Sequence, residues 1–146
     1  MTDLRIEPAD DGASLLEWQF VHNSIIPTAA LSVAGVTERA GRNRLSVAYR
    51  GDVLVGCSTV RPPGADNPVA TVIARILPAH RGRGLGTALY GHGLELAREL
   101  GAEVIETCVL ESNPEGLRFA LRHGFVETER YVLPGATVPF IDLRLA

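Results

Sequence analysis

The chain contains no lysine, because all 14 of its Lys and Arg residues are arginine. A nucleotide P-loop of the form GxxxxGK[ST] needs a lysine for the phosphates, so this class of site is excluded. Cysteine is also scarce: Cys57 and Cys108 are the only two, and each lies in an apolar run typical of a small buried side chain. We therefore expect two reduced thiols without a disulfide, as in a cytoplasmic protein.

Long apolar runs and metal-ligand clusters are missing as well. No run approaches the about 18 apolar residues of a membrane helix, and the acidic, mixed N-terminus does not resemble a signal peptide. The four histidines lack HxxxH spacing and a nearby CxxC. A net charge of −3 is too mild to favour nucleic acid. We expect a cytoplasmic protein without a metal, a membrane segment or a nucleic-acid partner.

Apolar periodicity predicts a single α/β domain over residues 1–146. The predicted strands cover residues 4–7, 45–49, 53–60, 69–77, 102–110, 125–133 and 140–145. The predicted helices run from Asp10 to Asn23, from Ser32 to Ala40, from the turn after residue 77 to Leu100, and from Pro114 to Gly124. Strand 69–77 leads through a helix to strand 102–110, which predicts a central parallel βαβ unit in a mixed, mainly antiparallel sheet with flanking helices. Gly91 and Gly93 inside the third helix predict close packing against the sheet.

A turn rich in arginine and glycine follows strand 69–77. Gly82, Gly84 and Gly86 stand at every second position and let backbone N–H groups point at a ligand. The helix that begins there adds unpaired N–H groups and the positive end of its dipole, which favour a phosphate or pyrophosphate. Arg81 and Arg83 add positive charge. The turn therefore predicts an anion site.

Two other interpretations of this turn stay open. A glycine-rich connection between a strand and a helix is often only a tight turn. A dinucleotide fingerprint would need GxGxxG, but the third glycine would fall on Thr87 or Leu89, although Glu106 does follow about 20 residues later. A dinucleotide-binding protein is thus the weaker alternative.

The pattern RxxGxG at residues 81–86, directly after a strand, resembles the acyl-coenzyme A motif of the GNAT superfamily of N-acetyltransferases. A second segment, Asn113 followed eleven and twelve residues later by Gly124 and Phe125, is similar to another motif of the family. The element order, β-α-α-β-β-β-α-β-α-β-β, resembles the GNAT fold over almost the whole chain. By resemblance, the chain is identified as a small, single-domain member.

The resemblance implies acetyl-CoA as cosubstrate and a primary amine that attacks the thioester directly in a ternary complex. The strand before the turn would bind pantetheine through its backbone, the turn would bind the pyrophosphate, and an asparagine would contact the cofactor from the other side. The implied cofactor-binding residues are Ala74, Arg75, Ile76, Arg81, Gly82, Arg83, Gly84, Leu85, Gly86, Thr87 and Asn113. The Ile76 N–H would stabilise the charge that develops on the thioester oxygen.

The usual acid and base of the family are missing. Many members have a tyrosine seven residues after the asparagine and some have a carboxylate five residues before it, but these positions hold Ala120 and Cys108. Glu106 faces the same side of its strand as Cys108, so we expect it to be the base, directly or through water. Tyr131 is the candidate acid. A solvated Glu106 and a Tyr131 that packs on the sheet remain the alternative.

Two function classes follow from these observations. The first is an acetyl-CoA-dependent N-acetyltransferase acting on a small-molecule or peptide amine, with the first two helices bordering the acceptor pocket. The second is a non-catalytic acyl-CoA-binding sensor, because the usual acid and base are absent. A homodimer is compatible with either class.

Overall fold

The computed structural model describes residues 4–145, and these form seven strands and four α-helices. The strands are β1 (Leu4–Pro8), β2 (Arg44–Arg50), β3 (Val53–Arg61), β4 (Val69–Ile76), β5 (Val104–Leu110), β6 (Phe125–Tyr131) and β7 (Phe140–Leu145). The helices are α1 (Gly12–Ile25), α2 (Val33–Arg42), α3 (Leu85–Glu99) and α4 (Pro114–Arg122). Short 3-10 turns cover Pro27–Ala29 and Pro78–His80.

The predicted order of elements and the predicted fold class are confirmed. All seven strands form one sheet in the order β1-β2-β3-β4-β5-β7-β6, and every neighbouring pair is antiparallel except β4 and β5. The single domain of residues 1–146 stays a prediction, and residues 1–3 and 146 of it lie outside the described part of the chain.

Local sequence signals explain where the helices begin. Asp11 caps α1 in a reciprocal capping box with Ser14, whose backbone N–H donates to Asp11 Oδ1 at 2.8 Å. Ser32 caps α2 by accepting from the Gly35 N–H. Asn113 caps α4, with Pro114 at its first position. In each case a side-chain oxygen satisfies an N–H group that the helix leaves unpaired.

The two faces of the sheet are covered by different helices. On one face, Val72 packs in an apolar cluster with Tyr90 and Ala97 of α3. On the other, Cys57 packs with Trp18 of α1 and Val36 of α2. The central strands β2 to β5 are therefore covered on both sides, whereas the edge strand β6 is mostly exposed.

Close packing of α3 against the sheet was predicted at Gly91 and Gly93, and the structure shows it only at Gly93. A Cβ on Gly93 would lie 2.6 Å from Val72 Cγ1, so only glycine permits this approach of α3 to the sheet. Gly91 is exposed, and a Cβ there would meet nothing within 4 Å. The prediction for Gly91 was wrong because the position faces away from the sheet.

The parallel pair β4 and β5 separates partway along its length. The two strands pair only at Val69–Val104, Ala70–Ile105 and Thr71–Glu106. Beyond that point β4 continues to pair with β3 as far as Ile76, and β5 continues to pair with β7 as far as Leu110. A gap therefore opens in the middle of the sheet at the C-terminal ends of its parallel strands.

Candidate active site

A cleft of about 370 Å³ occupies this gap. It is lined by the ends of β4 and β5, the turn before α3, one side of α4, and Ile25 and Ile26 at the end of α1. Of the predicted cofactor-binding residues, it brings together Ala74, Arg75, Ile76, Arg81, Gly82, Gly84, Leu85, Gly86, Thr87 and Asn113. Arg83, in contrast, is exposed and does not line the cleft.

The backbone of β4 presents alternate amides to the gap. The Leu77 N–H donates to Val55 O at 2.8 Å, and residue pairs in an antiparallel ladder alternate between hydrogen-bonded and non-hydrogen-bonded. The backbone groups of Arg75 and Leu77 therefore face β3, whereas those of Ala74 and Ile76 face the gap. Arg75 thus contributes its side chain to the cleft, not the backbone that the sequence analysis assigned.

The glycine turn has the open geometry that an anion site needs. Gly82 and Gly84 have φ values of 80° and 77°, which lie in the left-handed region that side chains avoid. A Cβ at either position would meet nothing within 4 Å, so the space beside both is free. Helix α3 begins at Leu85 with Gly84 as its N-cap, and no side chain caps it. Its first N–H groups are therefore available to a ligand.

Arg81 supports the turn instead of projecting freely from it. Its Nε donates to Ile76 O at 2.9 Å, and its NH1 donates to Glu115 Oε2 of α4 at 2.6 Å. These two bonds connect the end of β4 to the turn and to α4. The guanidinium consequently fixes the shape of the cleft, and part of its charge is already paired.

The α4 side of the cleft is built by close contacts with the start of α3. A Cβ on Gly86 would lie 3.3 Å from the Phe119 ring, so glycine allows the two helices to approach. Thr87 Oγ1 lies 3.0 Å from His123 Nε2. Tyr90 also lines the cleft, and its buried hydroxyl has no hydrogen-bond partner within residues 4–145. No role in the cleft was predicted for Phe119 or Tyr90, because their helical spacing indicates only core packing.

Glu106 and Tyr131, the candidate base and acid, lie outside the lining of the cleft. Glu106 Oε2 accepts from Arg144 at 2.7 Å and at 3.1 Å. The Tyr131 hydroxyl donates to Asp142 Oδ1 at 3.1 Å. Both side chains are thus engaged with β7, and they do not lie together in the cleft.

Cys108 and Ala120, at the two positions where the family's base and acid were expected, do line the cleft. Burial and, to a smaller extent, the neighbouring Asp142 together raise the pKa of the Cys108 thiol to about 11. Burial also raises the pKa of Tyr131 above its ordinary value, as do Cys108 and Asp142. Asp142 lies directly across from Cys108 in the β5–β7 ladder. This carboxylate was missed because the pairing of β5 with β7 cannot be read from either strand alone.

The opposite wall of the cleft is formed on the α1 and α2 face of the sheet. Arg75 pairs directly with Cys57 in the β3–β4 ladder, so its side chain lies on the face that carries Trp18. His22 stacks on Trp18, with ring centroids 5.1 Å apart. Burial lowers the pKa of His22 to about 4, and the positive charge of Arg75 contributes to this shift. His22 is therefore neutral near pH 7.

Within residues 4–145, no group of three or more His, Cys, Asp and Glu side chains is arranged to hold a metal ion. In the same part of the chain, none of the helices has the length and apolar character needed to cross a bilayer.

Comparison with known families identifies one clear match. The model of a family described as "Acetyltransferase (GNAT) family" matches residues 13–125. None of the curated proteins matches the chain in sequence.

Several solved structures share the fold at low sequence identity. The ribosomal-protein-S18-alanine N-acetyltransferase from Escherichia coli is 16% identical, with a TM-score of 0.76 and coverage of 97% of this chain and 92% of that one. The Salmonella typhimurium protein yncA, solved with its cofactor acetyl-CoA, is 19% identical, with a TM-score of 0.73 and coverage of 99% and 94%. An acetyltransferase from Bacillus subtilis in complex with CoA is 19% identical, with a TM-score of 0.70 and coverage of 97% of both chains.

Proposed function

Because the chain belongs to the GNAT family of acetyltransferases, we propose that it transfers an acetyl group from acetyl-CoA to a primary amine. The amine would attack the thioester directly while both substrates are bound. The family membership supports the acyl transfer, and the geometry of the cleft supports the roles of individual residues.

The observation that carries this proposal is the gap between β4 and β5 with the glycine turn at its end. Backbone groups of Ala74 and Ile76 face the gap without a strand partner, and buried backbone groups need one. An extended, amide-bearing chain such as pantetheine would supply it, in the manner of an added strand. The open space at Gly82 and Gly84, next to the N-terminus of α3, would receive the pyrophosphate. The residues present therefore fit acetyl-CoA.

Ile76 is the residue that we propose to activate the thioester. Its N–H faces the gap, at the end of β4 where the pantetheine arm would finish. A fixed donor at this place would stabilise the negative charge that develops on the thioester oxygen as the amine attacks. The donor is held in place because the neighbouring Leu77 pairs with Val55 and because Arg81 binds the Ile76 carbonyl.

Proton transfer requires less help from the protein than positioning of the two substrates does. A thiolate whose conjugate acid has a pKa near 8.5 leaves readily at neutral pH, so an acid is not essential. Glu106 lies outside the lining of the cleft and is bonded to Arg144, so we propose that it accepts the amine proton only through intervening water. Tyr131 is at most an auxiliary acid, since its proton is bonded to Asp142. Positioning of the two substrates can provide an effective concentration of about 10⁵ M or more, which exceeds what general acid catalysis usually adds.

The test is release of thiol from acetyl-CoA in the presence of a panel of primary amines, with CoA binding measured separately by calorimetry. Turnover with at least one amine, together with CoA binding, is expected. Tight CoA binding without turnover for any amine would favour the second candidate, a non-catalytic acyl-CoA sensor. The ion pair of Glu106 with Arg144 supports this candidate, because it engages the carboxylate that would otherwise act as the base. Protection of the protein by a nicotinamide cofactor but not by CoA would contradict both.

The compartment is also part of the proposal. Cys57 and Cys108 are free thiols, which suits the reducing cytoplasm, where acetyl-CoA is available. A small-molecule or peptide amine is the proposed partner, and a homodimer is the proposed assembly that a sedimentation measurement would test.

A further inference from the structure

Arg75 is a cation in the cleft that has no partner in the part of the chain that the structure describes. It is partly buried, and it makes no hydrogen bond or ion pair within residues 4–145, whereas Arg81 and Arg144 each pair with a glutamate. Burial lowers the pKa of the guanidinium, and the positive charge of Arg39 adds to this effect. The charge of Arg75 therefore loses solvation without a compensating carboxylate.

The acceptor side of the cleft has no acid to provide that carboxylate. The charged or titratable side chains that line the whole cleft are Arg75, His80, Arg81, Tyr90, Cys108, Glu115, Arg118 and Arg122. Glu115, the only carboxylate among them, pairs with Arg81 at the cofactor end. On the same face of the sheet, the titratable groups that interact with Arg75 are the cation Arg39, His22, which is neutral, and Cys57 and Cys108, whose raised pKa values keep them as thiols.

A partly buried charge without a partner is costly, and proteins rarely keep one without a use. Arginine is also the side chain best suited to bind a carboxylate, because its planar guanidinium matches the two oxygens with two parallel hydrogen bonds. The chemical class that completes this wall of the cleft is therefore an anion brought by a substrate.

We propose that Arg75 binds a carboxylate of the acceptor, so that the enzyme acetylates amines that carry a carboxylate, such as amino acids. This inference rests on the proposed function and narrows its acceptor. Arg75 immediately precedes Ile76, so the anion-binding group lies next to the donor that holds the thioester oxygen. One small molecule can then place its carboxylate on Arg75 and its amine against the thioester.

The surroundings of Arg75 add two further properties of the acceptor. Ile25, Ile26 and Ile73 line the cleft on this side, so the rest of the molecule should be apolar. Diamines and polyamines are disfavoured, because a second positive charge would meet the arginine without any free carboxylate nearby. An apolar amino acid is thus the chemistry that fits best.

The experiment compares apolar amino acids with their primary amides, which have the same shape but lack the carboxylate. For each pair, kcat/KM is measured for the wild type, Arg75→Gln, Arg75→Lys and Arg50→Gln. Arg50 is an exposed arginine at the C-terminal end of β2 that does not line the cleft, and it controls for the lost charge. The readout is the ratio of the acid to the amide, which cancels any general loss of activity in a variant.

We expect the wild type to prefer the acids and Arg75→Gln to reduce the ratio by about tenfold to a hundredfold, the usual worth of a charge-assisted hydrogen bond. Arg75→Lys should keep part of the preference, since it retains the charge but not the paired geometry. Arg50→Gln should keep all of it. An unchanged ratio in Arg75→Gln, or a wild-type preference for amides or diamines, overturns the proposal.

A second measurement separates this proposal from the proposed function. If no amine releases thiol, the same pairs are titrated by calorimetry into the protein saturated with CoA. Tighter binding of the acids to the wild type than to Arg75→Gln would then support the anion site even though acetyl transfer had failed. Equal binding to the two proteins would overturn it.

Discussion

The two sides of the cleft are built in different ways. The cofactor side consists of backbone: amides of Ala74 and Ile76, glycines at 82 and 84, and the start of α3. The acceptor side consists of side chains from separate elements: Arg75 of β4, Ile25 of α1 and Cys108 of β5. A backbone site suits a cosubstrate common to a whole family, whereas a side-chain site can change without disturbing the fold. The contrast explains why the cofactor was easier to infer than the acceptor.

The largest expected effect tests the backbone side at Ile76. Proline at this position deletes an N–H that faces the gap and makes no bond to β3, so the ladder loses nothing there. We expect Ile76→Pro to lower kcat by about a hundredfold or more, measured as thiol release at saturating acetyl-CoA. Ile76→Val should keep the wild-type rate, because the N–H remains. Wild-type turnover in a folded Ile76→Pro protein would move the role of oxygen activation elsewhere.

On the face of the sheet that carries Arg75, the buried His22 should make the stability of the folded protein depend on pH. Its pKa is lowered in the folded protein from 6.5 to about 4. As the pH falls from 6.5 to 4, the unfolded chain takes up a proton that folded His22 refuses, so stability decreases through this window and not below it. The decrease amounts to at most about 3 kcal/mol.

Urea unfolding at several pH values checks this expectation. His22→Phe keeps a ring against Trp18 but cannot titrate, so most of the decrease between pH 6.5 and 4 should disappear. His92→Gln, which alters an exposed histidine of α3, should behave as the wild type. The same pH dependence in His22→Phe as in the wild type would show that His22 is not the group responsible.

The glycine turn offers a matched pair of variants of intermediate effect. Gly84 and Gly51 both have positive φ values, 77° and 64°, with open space around them, but Gly51 lies in the β2–β3 turn and does not line the cleft. Alanine should cost each about 1 to 2 kcal/mol of stability. Only Gly84→Ala should also weaken CoA binding, by more than about tenfold, because its methyl group enters the proposed pyrophosphate site. Equal CoA affinity of the two variants in calorimetry would contradict the assignment of the turn.

The smallest expected effect concerns Tyr131. If the thiolate leaves unaided, kcat rises with pH as the base and the amine lose their protons, and it then stays level. Tyr131→Phe should change kcat by only a few-fold, and Glu106→Gln should lower the rate mainly at low pH. A bell-shaped profile whose alkaline limb vanishes in Tyr131→Phe would identify Tyr131 as the acid. Because its pKa is raised, that limb would lie above the ordinary value for tyrosine.

Most of the fold could be predicted because its signals are local. Capping residues such as Asp11 and Asn113 mark helix starts within a few residues, and period-two alternation marks the strands. The errors were small and local too: the strand predicted to end at residue 133 ends at Tyr131, and Gly91 does not pack on the sheet. Glycine and proline reveal backbone shape directly, so the turn that forms the cofactor side was visible in the sequence.

The position of β7 between β5 and β6 shows what the sequence could not determine. That placement brings Asp142 opposite Cys108 and Arg144 to Glu106, and it thereby removes Glu106 from the lining of the cleft. The sequence by itself determined the order of elements and the glycine turn, since both depend on neighbours along the chain. Only the tertiary structure decided which distant side chains meet, because strand order and register follow from the packing of the whole sheet. Strand order and register also leave Arg75 without a carboxylate partner within residues 4–145, and no pattern in the sequence of β4 indicates that this partner is missing.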